Sequence, residues 1–467
     1  MAGIIAQAED GSCGQLIRPN ALFRQPLALQ WFEEGHLRRR SEGERQAGRF
    51  ELFLDLLYVA ILANFAENLA EHVGGNQLVK YILIFVPAWH VWSDLRELMN
   101  SFYNDDLAQR CLILWVMAIL VVYGNNATLV DEDIGAMRAT VGAYLVARLS
   151  AMAAHLIYSF ASYHHRAQQR LWVALSFFGL FLYVPLFVES ISLRGKVAVA
   201  FVAIITEQIF WNFTYSPLAK KLLRAKYTTA VDINHEIDRF AAFFIIILGE
   251  FLYQIVVGSP AAIGFNMALL RAVWTLIIAF CLNWIYVHGD GSLKAVHPLR
   301  HNILAAFAWV ALHVPLTAGL LAGGHAAAIS AKIHEEGEYH HPEIWLLCGG
   351  IGTGLICLWF LALLHKCSDA SGTLLLPKHA RVIFRPITGI IICCLPLAHD
   401  LKITAILSVI MALLVFTVVW ENVTSLTRGA KFWESWEGTD YPKASDTLGR
   451  NDDNGIDMVK SPEEKVI

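Results

Sequence analysis

The sequence predicts an all-α fold: a polytopic transmembrane bundle of about twelve helices with a parallel, six-plus-six internal repeat. The 467-residue chain is 56% hydrophobic and only 16% charged, which is too apolar for an ordinary soluble domain. Twelve apolar windows, each long enough to cross a bilayer, follow one another at roughly regular intervals. Two windows open on the same Arg-Phe-x-x-Phe pattern, at Arg49 and at Arg239. Together these observations predict an integral, multi-pass membrane protein.

The windows divide the chain into an N-terminal arm over residues 1–48, a transmembrane domain over 49–427 and a tail over 428–467. Arm and tail are predicted to be cytoplasmic, and the polar tail is predicted to be disordered. The two halves of the transmembrane domain are predicted over 49–215 and 236–421. The predicted spans are 50–70, 80–99, 108–126, 138–160, 170–189, 194–215, 236–258, 265–288, 301–322, 344–365, 381–398 and 403–421.

The charge of the loops predicts how these spans are oriented. Counted from a cytoplasmic start, the loops on the cytoplasmic side carry most of the basic residues, such as Lys220, Lys221 and Arg224. An even number of spans with both termini inside fits this distribution. Spans 1 and 7 then begin on the same side, so an axis along the membrane normal would relate the halves. For spans 10 to 12, an unrelated addition remains an alternative.

The first span places acidic side chains inside an apolar helix. Glu51, Asp55, Tyr58 and Leu62 share one stripe at helical spacing, so both carboxylates and the phenol face the same neighbour. An uncompensated charge in hydrocarbon costs several kcal/mol, which predicts basic partners elsewhere in the bundle. The alternative is that Glu51, near the predicted helix end, only caps the helix or lies at the membrane interface.

The seventh span repeats this arrangement. His235, Arg239 and Glu250 fall on one face, and Glu250 lies eleven residues beyond Arg239, well inside the apolar run. The preceding Gly249 allows another helix to approach closely. We therefore expect Asp55 and Glu250 to converge on a shared interior site that binds a cation or a proton.

These two stretches also carry a family resemblance. Two segments resemble the signature segments of the low temperature requirement A (LtrA) membrane protein family: HEIDRFAAFFIIILGE at residues 235–250 and RFELFLDLLYV at residues 49–59. NWIYVHGD at 283–290 and ALHVPLTAGLLAGG at 311–324 are similar to two later segments of that family. Where the family usually has Glu before the second Arg-Phe, this chain has Asp238, which keeps the charge. The resemblance implies a polytopic membrane protein without implying a molecular activity.

Further ionisable residues lie at predicted membrane depth. Arg148 and His155 share a face of span 4, Glu207 lies in span 6, and His313 lies two residues before Pro315 in span 9. Buried charges in membrane helices usually pair with one another and mark ion or proton pathways. The candidate ion or proton site residues are Glu51, Asp55, Tyr58, Arg148, His155, Glu207, His235, Arg239, Glu250 and His313.

Each candidate also has a structural interpretation. Arg148 and Arg239 can simply neutralise the acids as fixed pairs, and His155 and His313 can be hydrogen-bonded packing residues. In the loop at 325–341, His and Glu side chains such as His334 and Glu338 are able metal ligands, but no recognised spacing orders them, so a solvated acidic loop is the alternative. The glycines of 349–354 follow no strand and predict a helix-packing face rather than a nucleotide site.

The leading functional hypothesis is an ion-coupled or proton-coupled transporter, or a channel-like permease, that uses intramembrane carboxylates. The alternatives are a non-catalytic membrane factor that recruits partners through its arm and tail, and a membrane-embedded metal-dependent enzyme. There is no recognised catalytic motif, and we expect no cofactor. The expected partners are the lipid bilayer and a small cation or proton, while the net charge of −4 argues against nucleic acid.

Overall fold

The computed structural model describes residues 22–40, 47–102, 104–256, 264–333 and 341–430. Each of the twelve predicted spans coincides with a helical segment, so the predicted helical bundle is confirmed. The helices are α1 (Arg49–Glu71), α2 (Gly75–Ser101), α3 (Leu107–Ala127), α4 (Ile134–Ala161), α5 (Arg166–Leu180), α6 (Leu193–Thr214), α7 (Pro217–Leu223), α8 (Ile233–Val256), α9 (Met267–His288), α10 (Pro298–His301), α11 (Ile303–Lys332), α12 (His341–Leu364), α13 (Lys378–Arg381), α14 (Phe384–Cys394) and α15 (Ile403–Thr424).

Eleven helical segments of the described chain are long and apolar enough to cross a membrane. The twelfth predicted span is α2, which has 27 residues but is less apolar because it carries charged residues such as Asp94, Arg96 and Glu97. Those three side chains all lie inside the bundle or line a cavity within it. Helix α2 can therefore span the membrane while its charges remain away from lipid.

Several spans begin at a residue whose side chain caps the helix. Asp106, Asp133 and Asn266 each accept a hydrogen bond from the backbone N–H three residues later, at 2.8 to 3.0 Å. These bonds satisfy amides that have no partner within the helix. The caps fix where α3, α4 and α9 start, and for α3 this lies one residue from the predicted boundary.

Two spans end as 3-10 helices rather than α-helices. Helix α5 continues into Phe181–Phe187, which contains Pro185, and α14 continues into Leu395–Leu397, which contains Pro396. Proline lacks the N–H that an α-helix needs in its interior, so the α-helical hydrogen bonding stops near these positions. In the first case Tyr183 lies within the 3-10 segment and is buried in the bundle interior.

Glycines allow α11, α12 and α14 to pack closely, as the sequence predicts for residues 349–354. A Cβ added to Gly350 would lie 2.7 Å from Gly323 Cα on α11, and one added to Gly352 would lie 2.7 Å from the carbonyl oxygen of Gly389 on α14. Neither backbone can accept a methyl group without moving. Gly349, in contrast, has nothing within 4 Å of the same position.

This packing predicts opposite effects for two neighbouring substitutions. Gly350→Ala should lower the free energy of unfolding by about 1–3 kcal/mol, because overpacking displaces helix backbones. Gly349→Ala should be neutral or slightly stabilising, because alanine favours the helix and meets no neighbour. Thermal unfolding of the two purified variants in the same detergent measures the difference, and equal melting temperatures would contradict the close packing.

The arm is not separate from the bundle over its described part. Strands β1 (Gln30–Glu33) and β2 (His36–Arg39) form a hairpin, and β1 also pairs with β3 (Tyr227–Thr229), which lies between α7 and α8. A second small sheet joins β4 (Ala295–Val296) to β5 (Lys366–Cys367). The end of the bundle that carries the arm sheet is called the arm side below. Most of the predicted tail, from residue 431 onward, lies outside the described residues.

A buried histidine holds the arm sheet on the bundle. His165, in the turn between α4 and α5, is fully buried and hydrogen-bonds through Nε2 to the carbonyl oxygen of Gln30 at 2.8 Å. Burial lowers the pKa of His165 to about 4, although the bond to Gln30 opposes that shift. The imidazole is therefore neutral at pH 7, and its Nε2–H donates a hydrogen bond to the carbonyl oxygen of Gln30.

This histidine predicts that the arm loosens in acid. Because the pKa of His165 is lower in the folded chain, its contribution to stability is complete above about pH 6.5 and is lost as the pH falls toward 4. Hydrogen exchange of the β1 amides, corrected for intrinsic rates, should show weaker protection at pH 4.5 than at pH 7.5 in the wild type. Equal protection at both values would contradict this prediction.

Candidate functional site

The first group of buried charges joins α1 to α8. Oδ1 of Asp55 accepts hydrogen bonds from Nη2 of Arg239 and from Nε1 of Trp92 on α2, both at 2.7 Å. Asp55 and Arg239 are both inaccessible to solvent. Charge-assisted bonds of this length are the strong kind, whereas Oδ2 of Asp55 and Nε and Nη1 of Arg239 are buried without a partner among the described residues. Loss of either residue would leave the other charge buried and unpaired.

One turn earlier, a second pair repeats the contact. Oε2 of Glu51 lies 2.9 Å from Nε2 of His235, and it also accepts the backbone N–H of Gly48 at 2.7 Å. Both side chains are fully buried. Glu51 therefore caps α1, which was the alternative interpretation of this residue, and it also contacts α8. Glu51, Asp55, His235 and Arg239 are called the α1–α8 latch below.

The latch also fixes the direction of the helices. A step of four residues from Glu51 to Asp55 corresponds to a step of four from His235 to Arg239. Helices α1 and α8 consequently run in the same direction, as the loop charges predict. Next to the latch, Arg96 on α2 pairs with Glu236 at 2.8 Å and lies over the rings of Trp92 and Phe240.

The second group of buried charges is centred on Glu207 of α6. Its Oε2 accepts hydrogen bonds from the hydroxyls of Tyr144 at 2.6 Å and Tyr183 at 2.7 Å, and lies 3.2 Å from Nδ1 of His90. Its Oε1 accepts from Nη2 of Arg148 at 3.3 Å. Arg148 in turn forms an ion pair with Asp94 on α2. These six residues are called the Glu207 cluster.

The Glu207 cluster is buried and lies near the middle of the bundle. Arg148 is close to the centre of the 28-residue α4, and each of the six residues is at most 9% exposed. The cluster contains two carboxylates, Glu207 and Asp94, and one guanidinium, Arg148, so carboxylates outnumber permanent positive charges. A net negative group at this depth favours a proton or a cation over an anion.

Three cavities lie one after another along the bundle, and the Glu207 cluster borders the central one. A central cavity of about 40 Å³ is lined by His90, Asp94, Arg148 and Glu207, and by Trp211 and Val310 on its arm side. Trp211 and Val310 also line a larger arm-side cavity of about 450 Å³. The hydroxyl-bearing rings of Tyr144 and Tyr183 line a third, opposite cavity of about 580 Å³.

The cluster therefore separates two spaces that lie toward different ends of the bundle. The arm-side cavity contains Glu97, Asn100 and Lys220, near the end of α2 and on α7, whereas the opposite cavity contains Lys80 and Asp131, near the other ends of α2 and α3. A void needs only about 10–15 Å³ to hold a water molecule, so the central cavity has room for one.

Glu250 does not join Asp55. It is half-buried, and its carboxylate accepts a hydrogen bond from Gln254 one turn further along α8, at 2.8 Å. Eleven residues of helix separate it from Arg239, which is about 16 Å along the axis. The expected convergence of Asp55 and Glu250 is therefore wrong. A shared helix face does not imply a shared depth.

The histidines and the tyrosine of the prediction occupy packed positions. His313 hydrogen-bonds to the carbonyl oxygen of Trp309 at 2.8 Å and lies 3.2 Å from the hydroxyl of Tyr286, which favours the packing interpretation. His155 lies against the ring of Trp172, with centroids 4.7 Å apart. The Tyr58 hydroxyl is buried beside the latch and has no hydrogen-bond partner among the described residues.

The histidine-rich loop adds no metal centre to the described chain. Residues 334–340 of that loop lie outside the described residues, and the described part of the chain contains no cluster of three metal-ligating side chains. Nε2 of His341, at the start of α12, lies 3.2 Å from Nδ1 of His399 and also hydrogen-bonds to the carbonyl oxygen of Pro396.

A family model describes this chain over most of its length. Residues 46–420 match the model of the bacterial low temperature requirement A protein (LtrA). The chain belongs to the LtrA family. No curated protein and no solved structure matches it. In this LtrA-family chain, the signature segments at 49–59 and 235–250 are the two that form the α1–α8 latch.

Sequence reasoning missed further charge pairs of the LtrA-family chain, among them Arg96–Glu236 and Arg385–Glu421. Arg385 on α14 donates to both carboxylate oxygens of Glu421 on α15, at 2.7 and 2.6 Å, and to the carbonyl oxygen of Gly289 at 2.6 Å. Both side chains are buried. The available signal was a base in one apolar window and an acid near the end of the next, which predicts that the two pair.

Proposed function

We propose that this LtrA-family protein is a permease that moves protons, alone or coupled to a solute, through the Glu207 cluster. The observation that carries the proposal is the position of that cluster between the arm-side cavity and the opposite cavity. Intramembrane carboxylates that face a cavity are the usual sites of proton relay in transporters. The α1–α8 latch, which lies in no described cavity, holds the helices together.

The chemistry around Glu207 suits proton exchange. Its carboxylate is surrounded by two phenols and an imidazole, all able to donate or accept a proton, and by the guanidinium of Arg148. When Glu207 takes up a proton, its attraction to Arg148 weakens, and Arg148 keeps its ion pair with Asp94. Protonation thus changes which helices are joined, because Glu207 lies on α6 and Asp94 on α2.

The size of the central cavity favours a proton over a larger cation. About 40 Å³ accommodates a water molecule but no hydrated metal ion. A larger solute would need α6 to move relative to α2 and α4, as in rocking-bundle transport. The basic residues of α7, which lie on the arm side, further support a cytoplasmic orientation for that side.

Reconstitution tests this proposal. Purified protein in liposomes that enclose a pH-sensitive dye should acidify or alkalinise the lumen when a potassium gradient and valinomycin impose a membrane potential. The rate should exceed that of protein-free liposomes of the same lipid. A rate equal to that of the protein-free liposomes, with the protein shown to be folded and oriented, would overturn proton movement as the basal activity.

A further inference from the structure

The opposite cavity has the size of a ligand site. Its volume is about 580 Å³, within the range of roughly 300–1,000 Å³ typical of small-molecule pockets. The inner walls are apolar and include Ile84, Val141 and Leu186, which are 5 to 7% exposed. The floor is formed by the rings of Tyr144 and Tyr183. Such walls suit a hydrocarbon segment better than a strongly hydrated solute.

The polar residues of this cavity lie near the helix ends that form its mouth, and one of them is an unsatisfied cation. Lys80 is already paired with Asp131 at 3.0 Å, and Arg194 is exposed. Lys196, on the first turn of α6, is only 8% exposed and lines the cavity. Within the described chain its ammonium group has no hydrogen bond or ion pair.

The side chain of Lys196 is largely buried against the cavity, and an anion there would supply the partner that its ammonium group lacks among the described residues. The side chain of Gln77 lines the same mouth, and an amide NH₂ group of this kind can donate a hydrogen bond to an anion. We infer that the opposite cavity binds a single-chain amphiphile with an anionic headgroup, seated on Lys196, with its hydrocarbon tail against the apolar walls.

This inference goes beyond the proposed proton pathway and does not require it. The bound tail would lie on the faces of Tyr144 and Tyr183, whose hydroxyls bond to Glu207. An occupied cavity would therefore close the water path from the opposite side to the cluster. Binding can be measured at equilibrium without any flux, so the two ideas fail independently.

Binding of radiolabelled dodecanoate to the full chain tests the inference. The protein is held in phosphatidylcholine nanodiscs, and dodecyltrimethylammonium serves as the cationic probe of equal chain length. We expect saturable binding of one dodecanoate per chain and none of the cation. Lys196→Gln should weaken dodecanoate binding by at least about tenfold, and Lys196→Arg should restore it to within about threefold.

The matched control is Lys221→Gln, which removes an exposed lysine of α7 that lines no described cavity. It should bind dodecanoate as the wild type does. Equal affinities of the wild type and Lys196→Gln would overturn the inference. Native mass spectrometry provides a second test. A diacyl phospholipid that is retained by the wild type, lost in Lys196→Gln and not displaced by dodecanoate would also overturn the inference, because the occupant would then be a resident lipid.

Discussion

Replacing Arg239 by glutamine is expected to destabilise the protein so strongly that the yield of folded protein falls sharply. The substitution leaves Asp55 fully buried with only the indole N–H of Trp92 as a donor, and Glu51 one turn away. Breaking a buried ion pair by removing one partner costs about 3–5 kcal/mol, which is a large fraction of the stability of a typical domain. We expect a correspondingly large fall in the melting temperature and in the yield of monodisperse protein.

The double variant Asp55→Asn with Arg239→Gln separates charge from packing. It keeps the size of both side chains and removes both charges, so it should recover most of the stability lost in Arg239→Gln. Measurement of the single and double variants by thermal unfolding completes the cycle. If Arg239→Gln alone melts as the wild type does, the latch does not stabilise the fold.

Replacing Glu207 by glutamine is expected to reduce proton flux at least tenfold with little loss of fold, because glutamine still accepts hydrogen bonds from Tyr144 and Tyr183. The amide cannot exchange a proton at neutral pH, and it cannot pair with Arg148. The dye assay in liposomes measures the flux. The expected loss is specific, since the stabilising latch on α1 and α8 is untouched.

Glu250→Gln is the matched control for this experiment. It is the same chemical change in a membrane helix, but at a carboxylate that bonds to Gln254 and lies outside the Glu207 cluster. Its flux should equal that of the wild type. Equal loss in both variants would assign the effect to a general perturbation of the bundle, and unchanged flux in Glu207→Gln would remove Glu207 from the pathway.

The sequence predicted the helices well because apolar length is a local property. It also predicted the buried stripe of α1 correctly, and Glu51, Asp55, Tyr58 and Leu62 are all fully buried. The partners were harder, since periodicity gives the face of a helix but neither its depth nor its neighbour. Arg239 was expected to have an acidic partner, but the choice between Asp55 and Glu250 depended on the depth of each acid in the bundle, which periodicity does not give.

Of the six residues in the Glu207 cluster, only Arg148 and Glu207 were among the predicted site residues, and Tyr183 shows what was missed. It lies eleven residues after Trp172 and seven after Ser176, so it continues the buried face of α5 into the 3-10 segment. Helical periodicity along this span therefore assigns Tyr183 to the same interior face. That periodicity was the available signal, and it was not used to place a phenol beside Glu207.

The six-plus-six repeat stays a prediction, but the packing is compatible with it. In the first half α1 contacts α3, α3 contacts α4 and α4 contacts α5. In the second half α8 contacts α11, α11 contacts α12 and α12 contacts α14. The predicted repeat would place the last three spans, α12, α14 and α15, in correspondence with α4, α5 and α6.

The latch has a consequence for the synthesis of the chain. Each of its two contacts joins residues 184 positions apart, so the ribosome delivers the acids long before the bases. At about 5–20 residues per second, the acids wait roughly 10 to 40 s for their partners. During that interval the carboxylates of α1 have to remain in contact with water or with the insertion machinery. A chain released before α8 is made would carry unpaired carboxylates that quality control can recognise.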